Sequence, residues 1–342
     1  TPGSDGFVSL REAIIAANNG AGDDIINLPA GNFLRTISNT AGAENAAAEG
    51  DLDILDNLVI NGEGQGTDNS VDTIINGGGG TLDRVFHIGT GLTVEFNSMT
   101  IQGGAASDNG ATTTEAGGGG IVAEAGVSIT LDDVLWQNNS AQGADALNET
   151  GLAGRRAAGG GLYAITTAGV TIRNGTTIVS NQANGGTGGS GALGESGADA
   201  GNGGNGGDAF GGGLFINGGN LSIADSTIQW NAIQAGTGGA GSSDNPLDNT
   251  EKIGGTGGHA RGGGIYAVDT ILAMTNSTLN LNSAGGGHGG GSILNGLGGH
   301  AGDAEGGGIY AKRGSFSVQY TAGFSSHADV QKIQSNTVLG GT

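Results

Sequence analysis

A repeated motif constrains the fold of this sequence more than any other feature. Three glycines followed by an apolar pair occur five times, with the pair at Ile121-Val122, Leu162-Tyr163, Leu214-Phe215, Ile265-Tyr266 and Ile309-Tyr310. An alternating apolar run and an apolar-x-x-Asn step follow each pair, the step running from Trp136 to Asn139, Ile178 to Asn181, Ile228 to Asn231, Leu279 to Asn282 and, more loosely, Ile333 to Asn336. A supersecondary unit repeated at such spacing predicts a solenoid in which each unit contacts its neighbours.

One repeat can be followed between residues 262 and 282. The segments 262–267, 271–274 and 278–282 are short and largely apolar, and the two gaps between them carry Asp269, Thr270, Asn276 and Ser277. Such a unit predicts three short strands and two tight turns in each coil. This is the pattern of a parallel β-helix, in which apolar side chains point inward and stack on those of adjacent coils.

When the repeats are aligned, like residues fall into columns. One apolar column contains Phe96, Leu131, Ile172, Ile223 and Met274, and a second contains Ile101, Trp136, Ile178, Ile228 and Leu279. Two residues after the first column stand Ser98, Asp133, Asn174, Asp225 and Asn276, which are residue types that tolerate turn conformations. The closing residues Asn139, Asn181, Asn231 and Asn282 are predicted to stack and to satisfy one another's amides in a buried corner.

The N-terminal segment carries a helix signal instead. Ser9 and Glu12 have the spacing of a capping box, in which each side chain bonds to the backbone N–H of the other. An apolar face follows, and Asn18-Asn19-Gly20 predicts the helix end. A short amphipathic helix before a solenoid is well placed to cover the open end of its core. The predicted face consists of Leu10, Ala13, Ile14 and Ala17.

The segment Phe7–Ile14 resembles the Cys-Ser-Leu-Arg-Glu-Ala motif that opens a family of large secreted parallel β-helix proteins, with Val8 in place of the family's Cys. The later Gly-Gly-x-Ile-Tyr and apolar-x-x-Asn pairs are similar to the repeats of polymorphic outer-membrane adhesins, over most of residues 117–339. Both families are β-helical, and neither is defined by an enzymatic site. The resemblance therefore implies a secreted or surface protein used in display, adhesion or structure.

Together these signals predict an all-β protein: a right-handed parallel β-helix with three strands per coil, an N-terminal capping helix and long glycine-rich loops on one side. We expect a single domain over 1–342, with a capping segment at 1–22, irregular coils at 23–104 and regular coils at 105–342. Short β-branched runs separated by Gly, Asn and Asp predict the strands of the irregular part. These runs are Ile25–Leu28, Leu58–Ile60, Thr73–Ile75, Val85–Ile88 and Leu92–Phe96.

Glycine-rich insertions separate each Asn from the next triple glycine, over about 105–116, 140–158, 182–210, 232–261 and 283–305. In the third insertion Gly stands at every third position from Gly185 to Gly206, interrupted at Ala200, and the fifth repeats the pattern with an interruption at Ile293. A period of three belongs to the extended left-handed helix, in which Gly lets neighbouring backbones touch. We therefore predict ordered excursions bonded backbone to backbone, against the alternative of flexible linkers.

Charge and composition exclude several classes of partner. The net charge is −21 with only 11 Lys and Arg residues, whereas nucleic acids and anionic lipid surfaces are bound by basic surfaces. No apolar run reaches the length of a membrane span. The chain has no Cys, so disulfides and thiolate chemistry are excluded. The acidic excess is compatible with Ca²⁺ association.

Polysaccharide lyases and hydrolases also use β-helices, so an enzyme must be considered. A lyase of this kind needs clustered carboxylates for Ca²⁺ and a basic proton acceptor. Asp132, Asp133 and Arg173 are the candidates, because the alignment of coils places Arg173 beside Asp132. A surface ion pair together with a turn aspartate is the alternative explanation, and it is the one we favour.

A hydrolase needs facing carboxylates, and two acidic pairs, Asp23-Asp24 and Asp51/Asp53, lie near the capped end without partners that the sequence identifies. Gly203–Phe210 matches one copy of a calcium-binding repeat, and Gly298–Asp303 is a weaker echo, whereas such sites need consecutive copies. We therefore predict no catalytic, cofactor-binding or metal-binding residues, with calcium kept as an alternative ligand.

Three further patterns have simple explanations as surface or turn residues. His259, His288 and His300 lie in successive insertions and could ligate a metal, although exposed polar positions explain them. Thr100, Thr177, Thr227 and Thr278 form a ladder that could bind ice, interrupted by Leu135. Glycosylation sequons begin at Asn138, Asn148, Asn174, Asn220 and Asn276, and turn chemistry accounts for two of them.

The sequence thus favours a non-enzymatic extracellular or cell-surface module that is structural or adhesive. The segment from Ile333 to Asn336 is still in repeat phase, and no cap is recognisable after it. We therefore expect self-association through the ends of the β-helix, which builds filaments by head-to-tail stacking. The alternatives are a β-helix that binds or degrades polysaccharide, with cell-surface polysaccharide as partner, and an ice- or calcium-binding module.

Overall fold

The computed structural model describes residues 7–39, 46–79, 83–107, 115–146, 150–165, 167–192, 201–242, 252–292 and 297–319, together with 333–334, 337–339 and 341. Over these residues the protein is mostly β, its paired strands run parallel, and one α-helix is present. A search of the same residues finds no helix with the length and apolar character needed to cross a membrane.

Helix α1 spans Leu10–Asn18 and begins with the predicted capping box. The N–H of Glu12 donates to Oγ of Ser9 at 3.2 Å, and the N–H of Ser9 donates to Oε2 of Glu12 at 2.8 Å. These bonds satisfy backbone donors that the first turn of a helix leaves without partners. The buried face of the helix joins the main apolar core through Leu10, Ile14 and Ala17.

Eight strands precede the regular coils: β1 (Asp24–Asn27), β2 (Gly31–Leu34), β3 (Leu52–Ile54), β4 (Leu58–Asn61), β5 (Thr73–Asn76), β6 (Phe86–Ile88), β7 (Thr93–Gln102) and β8 (Ala105–Ala106). The five runs predicted in the irregular part coincide with β1, β4, β5, β6 and β7. Strands β2 and β3 lie outside those runs, because each has at most one β-branched residue to mark it.

The regular coils follow in order. The first contains β9 (Glu115–Gly117), β10 (Ile121–Ala123), β11 (Ser128–Gln137) and β12 (Ser140–Gln142). The second contains β13 (Arg156–Ala158), β14 (Leu162–Ile165), β15 (Gly169–Arg173), β16 (Thr177–Val179) and β17 (Gln182–Asn184). The third contains β18 (Ala209–Phe210), β19 (Leu214–Asn217), β20 (Asn220–Ala224), β21 (Thr227–Gln229) and β22 (Ala232–Gln234).

The fourth coil contains β23 (Ala260–Arg261), β24 (Ile265–Val268), β25 (Ile271–Thr275), β26 (Thr278–Asn280) and β27 (Ser283–Gly285). The fifth contains β28 (Ala304–Glu305), β29 (Ile309–Lys312), β30 (Ser315–Gln319), β31 (Ile333–Gln334) and β32 (Thr337–Leu339). Strands at equivalent places in successive coils pair and form four sheets of 14, seven, six and five strands. The 14-stranded sheet takes two strands from each of the later coils, such as β15 and β16.

The prediction of three strands per coil is incomplete, since the second to fifth coils each contain five. The three predicted strands correspond to β24, β25 and β26 in the fourth coil. The additional strands flank the glycine-rich insertions and consist of two or three residues. Their buried alanines form a small second core with Ile233 and Ala235. Alanine carries little strand propensity, so these strands leave no signal in the apolar pattern.

The predicted columns are confirmed by the strand register. In the first column Leu131 pairs with Phe96 and Ile172, Ile172 with Ile223, and Ile223 with Met274. In the second, Trp136 pairs with Ile101 and Ile178, and Ile228 pairs with Ile178 and Leu279. All of these side chains are buried, so each coil rests its apolar side chains on those of the next coil.

The turn and asparagine columns are confirmed as well. The five turn residues have φ values between 48° and 56°, the left-handed region that Asn and Asp tolerate best. In the buried corner, Nδ2 of Asn139, Asn181 and Asn231 each donates to Oδ1 of the next asparagine at 3.0 Å. The fifth step of the predicted column, Asn336, lies outside the described residues.

The triple glycine is explained by conformation and close approach. In the fourth coil Gly262 has a φ of 73°, which side chains disfavour. A Cβ on Gly263 would lie 2.3 Å from the carbonyl oxygen of Ser283, and a Cβ on Gly264 would lie 2.7 Å from the carbonyl oxygen of Gly308. Each glycine of the motif is therefore required for the turn into the following strand.

The described parts of the glycine-rich insertions bond to one another through their backbones. The N–H of Gly207 donates to the carbonyl of Gly186, Gly236 to Gly207, Gly258 to Gly236, and Gly287 to Gly258, at 2.8 to 3.0 Å. Outgoing and returning arms thus alternate, with bonds both within one insertion and between successive insertions. We call these segments the glycine arms: 185–192, 201–207, 236–241, 254–258 and 286–291.

Candidate functional site

The lyase candidates occupy an exposed part of the 14-stranded sheet. Arg173 lies beside Asp132, as the column alignment predicts, and its Nε donates to Oδ2 of Asp132 at 2.7 Å. A second carboxylate, that of Glu95, lies 3.4 Å from Nη2 of Arg173. Because Arg173 is exposed, this ion pair contributes little to stability. The guanidinium is held between two carboxylates.

Asp133 is a turn residue with a φ of 55°. Its Oδ1 accepts from Nε2 of Gln65 at 2.7 Å, and its Oδ2 accepts from Oγ of Ser98 at 3.0 Å. Both oxygens are therefore used within the protein. Together with the ion pair, this geometry supports the interpretation of Asp132, Asp133 and Arg173 as a surface pair and a turn aspartate.

The acidic pair Asp51 and Asp53 has partners that sequence reasoning missed. Nη1 of Arg84 lies 2.8 Å from Oδ2 of Asp51, and it lies 3.4 Å from Oδ1 of Asp83. Nδ1 of His87 lies 3.0 Å from Oδ1 of Asp53. All five side chains are buried. We call Asp51, Asp53, Asp83, Arg84 and His87 the buried ionic cluster.

The neighbouring strands β3 and β6 position this cluster. They pair in parallel, and their register places Asp53 directly beside His87. Because side chains alternate between the two faces of a strand, the apolar neighbours of these residues point toward the main core. Asp53 and His87 therefore lie on the opposite face of the sheet, where surrounding backbone covers them.

Helix α1 fixes the segment that covers the cluster. Nη1 of Arg11 donates to the carbonyl oxygens of Ala47 and Asp51 at 2.7 and 2.9 Å, and its Nη2 donates to that of Gly50 at 2.6 Å. The N–H of Ala47 in turn donates to Oδ2 of Asp53 at 2.7 Å. The Arg side chain of the N-terminal motif thus holds the backbone that encloses the cluster.

Burial changes the acid–base properties of two members. Burial raises the pKa of Asp51 to about 7, opposed by the charge of Arg84 and assisted by those of Asp83 and Asp53. For His87, burial lowers the pKa, but the hydrogen bond to Asp53 and the charges of Asp51 and Asp53 outweigh it, so the net pKa is raised. Both shifts favour the forms that carry a proton, through burial for Asp51 and through the neighbouring carboxylates for His87.

The second ring nitrogen of His87 reaches a cleft. Nε2 lies 3.1 Å from Oε1 of Glu124, whose side chain is partly exposed. The cleft has a volume of about 240 Å³ and is lined by Leu55, His87, Gly89, Thr90, Leu92 and Glu124. His87 thus bridges a buried carboxylate and a carboxylate at the protein surface, an arrangement able to hold or pass a proton or to bind a cation.

The cluster could have been suspected from one sequence signal. Asp53 in Leu52-Asp53-Ile54 and His87 in Phe86-His87-Ile88 each stand between two apolar residues of a short strand. Such alternation places both polar side chains on the non-core face. Their pairing could not be predicted, because the irregular coils have no repeat that fixes which strands are neighbours.

The other predicted candidates contact one another in pairs through backbone N–H groups. Oδ1 of Asp208, in the calcium-like motif, accepts the N–H of His259 at 2.7 Å. The N–H of Asp303 donates to Nδ1 of His259 at 3.1 Å. Across the described ranges, the search for three or more close metal-ligating side chains finds Asp51, Asp53 and His87 and does not bring His259, His288 and His300 together.

The threonine ladder is in register along the 14-stranded sheet. Thr177 pairs with Thr227 and Thr227 with Thr278, while Thr100 pairs with Leu135, which interrupts the file as expected. Among the sequon asparagines, Asn138, Asn174 and Asn276 have φ values of 53°, 56° and 48°. Asn148 lies outside the described residues.

Comparisons with known proteins identify no family for this chain. Neither a protein-family profile nor a curated protein sequence matches it. Among solved structures it is similar to the A-module of the mannuronan C-5 epimerase AlgE6 from Azotobacter vinelandii, with 15% sequence identity and a TM-score of 0.26. That alignment covers 97% of this chain and 94% of the other.

Proposed function

We propose that this protein is a structural or adhesive module, located outside the cell or on the cell surface, and that it is not an enzyme. In this proposal the coils form a right-handed parallel β-helix, the N-terminal helix covers the end of its core, and the glycine arms stiffen one side. The chain then acts as a rigid spacer that displays or connects other parts of a surface.

The observation that carries the proposal is the continuous backbone bonding between glycine arms. A glycine such as Gly207 donates to one arm through its N–H and accepts from another through its carbonyl, since Gly236 donates to it. A Cβ on Gly206 would lie 1.9 Å from the carbonyl oxygen of Gly236. The glycine arms therefore connect neighbouring coils, as the sheets also do. This second connection supports a role in which the chain resists mechanical force.

The fate of the catalytic candidates also supports a structural role. Arg173 bonds to Asp132, and Asp133 accepts from Gln65 and Ser98, on a solvent-facing part of the large sheet. Enzymes instead hold such groups at a concave site, where water is excluded and the pKa values are perturbed. A perturbed acid of that kind, Asp51, occurs here in the buried ionic cluster and not among the catalytic candidates.

Self-association through coil ends is part of the same proposal. Strands β28 to β32 form one edge of the four sheets in the described chain. An open edge offers unpaired N–H and C=O groups to any strand presented to it. A second copy docked there makes a heterologous contact, which produces a filament when the rotation between copies does not close.

The proposal is tested by activity and assembly measurements on the same preparation. The purified chain is incubated with alginate, pectate and a neutral glucan in the presence of Ca²⁺. Unsaturated products are followed by ultraviolet absorbance, new reducing ends by a colorimetric assay, and changes in sugar configuration by NMR. Sedimentation velocity and electron microscopy over a range of concentrations measure association.

A structural module yields no product in any of these assays and associates as its concentration rises. Turnover that disappears in Asp132→Asn and Arg173→Ala, but not in the exposed control Asp145→Asn, overturns the proposal in favour of a polysaccharide-degrading enzyme. A chain that binds one polysaccharide without converting it supports the adhesive form. A strictly monomeric chain that binds none of the polymers contradicts both forms.

A further inference from the structure

The buried ionic cluster carries a set of metal ligands that the structural role leaves unexplained. One ligand atom from each of Asp51, Asp53 and His87 lies within 4.8 Å of the other two. All three side chains are buried. We propose that these residues bind one divalent transition-metal ion, and that the donor set of one imidazole nitrogen and two carboxylate oxygens fits Zn²⁺ best.

The geometry around each carboxylate leaves an oxygen for the metal. Arg84 contacts Oδ2 of Asp51, and the N–H of Ala47 donates to Oδ2 of Asp53. The other oxygen of Asp53, Oδ1, faces Nδ1 of His87 at 3.0 Å. Two ligands of one tetrahedral Zn²⁺, each about 2.0 to 2.1 Å from the ion, lie roughly 3.3 Å apart. The observed separation is close to that value.

A second observation comes from the far side of the imidazole. A histidine that binds a metal commonly donates its other ring N–H to a carboxylate, which fixes the tautomer and the ring orientation. Glu124 supplies this partner, because its Oε1 lies 3.1 Å from Nε2 of His87. With Nδ1 bound to the metal, Nε2 carries the hydrogen that Glu124 accepts.

The charges of the region also favour a cation. Four carboxylates, those of Asp51, Asp53, Asp83 and Glu124, face His87 or one another. Three guanidinium groups accompany them, from Arg84 in the cluster, from Arg11 on α1, and from Arg35, whose Nη2 donates to the carbonyl oxygen of Asp83. With the partly exposed Glu124 counted, the four carboxylates exceed the three guanidinium groups by one, and either a proton on His87 or a metal ion balances that charge.

The proposed ion joins two chain segments, 51–53 and β6, next to the N-terminal helix. Asp53 lies on β3, His87 lies on β6, and Asp51 belongs to the segment that Arg11 holds. Three protein ligands leave one coordination position, which water or a ligand entering from outside can fill. This site is separate from the structural role proposed above, since the glycine arms do not contribute to it and Glu124 is the one residue of the regular coils used here.

The test uses the full chain after dialysis against a chelator and then against chelator-free buffer. Zn²⁺ is titrated calorimetrically, Co²⁺ is titrated with visible absorption as the readout, and thermal stability is recorded with and without each ion. We expect one ion per chain, a rise in Tm on binding, and Co²⁺ absorption typical of a four-coordinate N/O site.

Variants separate the proposed ligands from other histidines and acids. His87→Gln and Asp53→Asn are expected to abolish the single site. Glu124→Ala keeps all three ligands and removes the hydrogen-bond acceptor of Nε2, so affinity falls about 10- to 100-fold. Because Glu124 is partly exposed, this variant tests the site even if the buried substitutions prevent folding. His259→Gln and His288→Gln are matched controls and are expected to leave stoichiometry and affinity unchanged.

Three outcomes overturn the proposal. The first is the absence of saturable binding of either ion to the folded chain. The second is binding that survives His87→Gln or disappears in the control variants, which places the ion elsewhere. The third is unchanged affinity in Glu124→Ala, which shows that Glu124 does not orient a metal-bound imidazole of His87. Failure of this test leaves the activity and assembly results for the structural role untouched.

Discussion

Nδ2 of Asn181 donates to Oδ1 of Asn231 at 3.0 Å, and both side chains are fully buried. The same Oδ1 accepts the backbone N–H of Asn181 at 3.0 Å. Each asparagine thus satisfies a main-chain donor and a side-chain donor of the preceding coil. The corner of the solenoid, where the chain leaves the large sheet, is closed by these amides.

Replacement of Asn231 by Ala is expected to destabilise the protein strongly. The substitution removes the acceptor for two buried donors of Asn181, and each unsatisfied group costs about 1–3 kcal/mol. We expect a loss of about 2–4 kcal/mol in the free energy of unfolding, measured by chemical denaturation. Asn220→Ala, at an exposed position of β20, is the control and should change stability by less than about 0.5 kcal/mol. Equal effects of the two substitutions would disprove the structural role of the ladder.

Replacement of Gly206 by Ala tests the close approach of the glycine arms. Its Cβ would lie 1.9 Å from the carbonyl oxygen of Gly236, so the arms must separate. We expect a loss of about 1–3 kcal/mol, as found for overpacked interiors, visible as a lower Tm. Gly291→Ala is the matched control, because a Cβ there meets no atom within 4 Å. If both variants melt at the wild-type temperature, the arms do not pack as described.

Hydrogen exchange tests whether the glycine arms are ordered in solution. The amides of Gly207, Gly236, Gly258 and Gly287 each donate to a backbone carbonyl. We expect their exchange to be slowed relative to the denatured chain, because exchange requires opening of the bonded array. Mass spectrometry of peptic fragments resolves each arm. Exchange at the rate of a free peptide in segments 201–207 and 254–258 would support flexible linkers instead.

The pKa of Tyr266 gives a prediction for alkaline pH. Burial, assisted by the neighbouring Tyr310, raises the pKa of Tyr266 above its ordinary value of 10.0, against the opposing charges of Arg261, Arg156 and Arg313. The stability contributed by the neutral phenol is therefore fully present below pH 10 and is lost as the pH rises through the higher folded-state value. Its ring stacks on Phe215 at 4.9 Å between centroids.

Thermal melting between pH 9 and 11 measures this effect. Tyr266→Phe keeps the stacked ring and removes the ionisable hydroxyl, so its Tm should fall less steeply over this range than that of the wild type. The two proteins should have similar Tm values at pH 7, which serves as the internal control. Identical alkaline slopes would show that Tyr266 ionises without a cost to the folded state.

The repeated part of the fold could be predicted because equivalent residues recur at the same positions of successive coils. Ile172, Ile223 and Met274 differ in shape, yet they occupy the same place relative to the triple glycine and the closing asparagine. Two fixed markers per coil are enough to set the register, and a shift by one residue would expose every apolar side chain. The confirmed pairings follow from that constraint.

Other parts of the fold and site could not be predicted, for physical reasons. The strands that flank the insertions, such as β17 and β18, are short and contain alanine, which adapts to many conformations. Trp230 and Leu281 adopt φ values of 56° and 53°, although their side chains disfavour that region and give no sequence signal. The pairing of Asp53 with His87 depends on which irregular strands become neighbours, and no repeat specifies it.

The asparagine ladder has a consequence for how such a protein can evolve. Asn181 uses Asn231 in the same way that Asn231 uses Asn282, so any closing asparagine can succeed any other. Loss or duplication of the stretch 182–231 by unequal recombination would leave the same asparagine-to-asparagine contact at every junction between coils. The number of coils can therefore change during evolution by whole turns. The proposed metal site beside α1 has no repeated counterpart in the described coils, so it must be inherited intact.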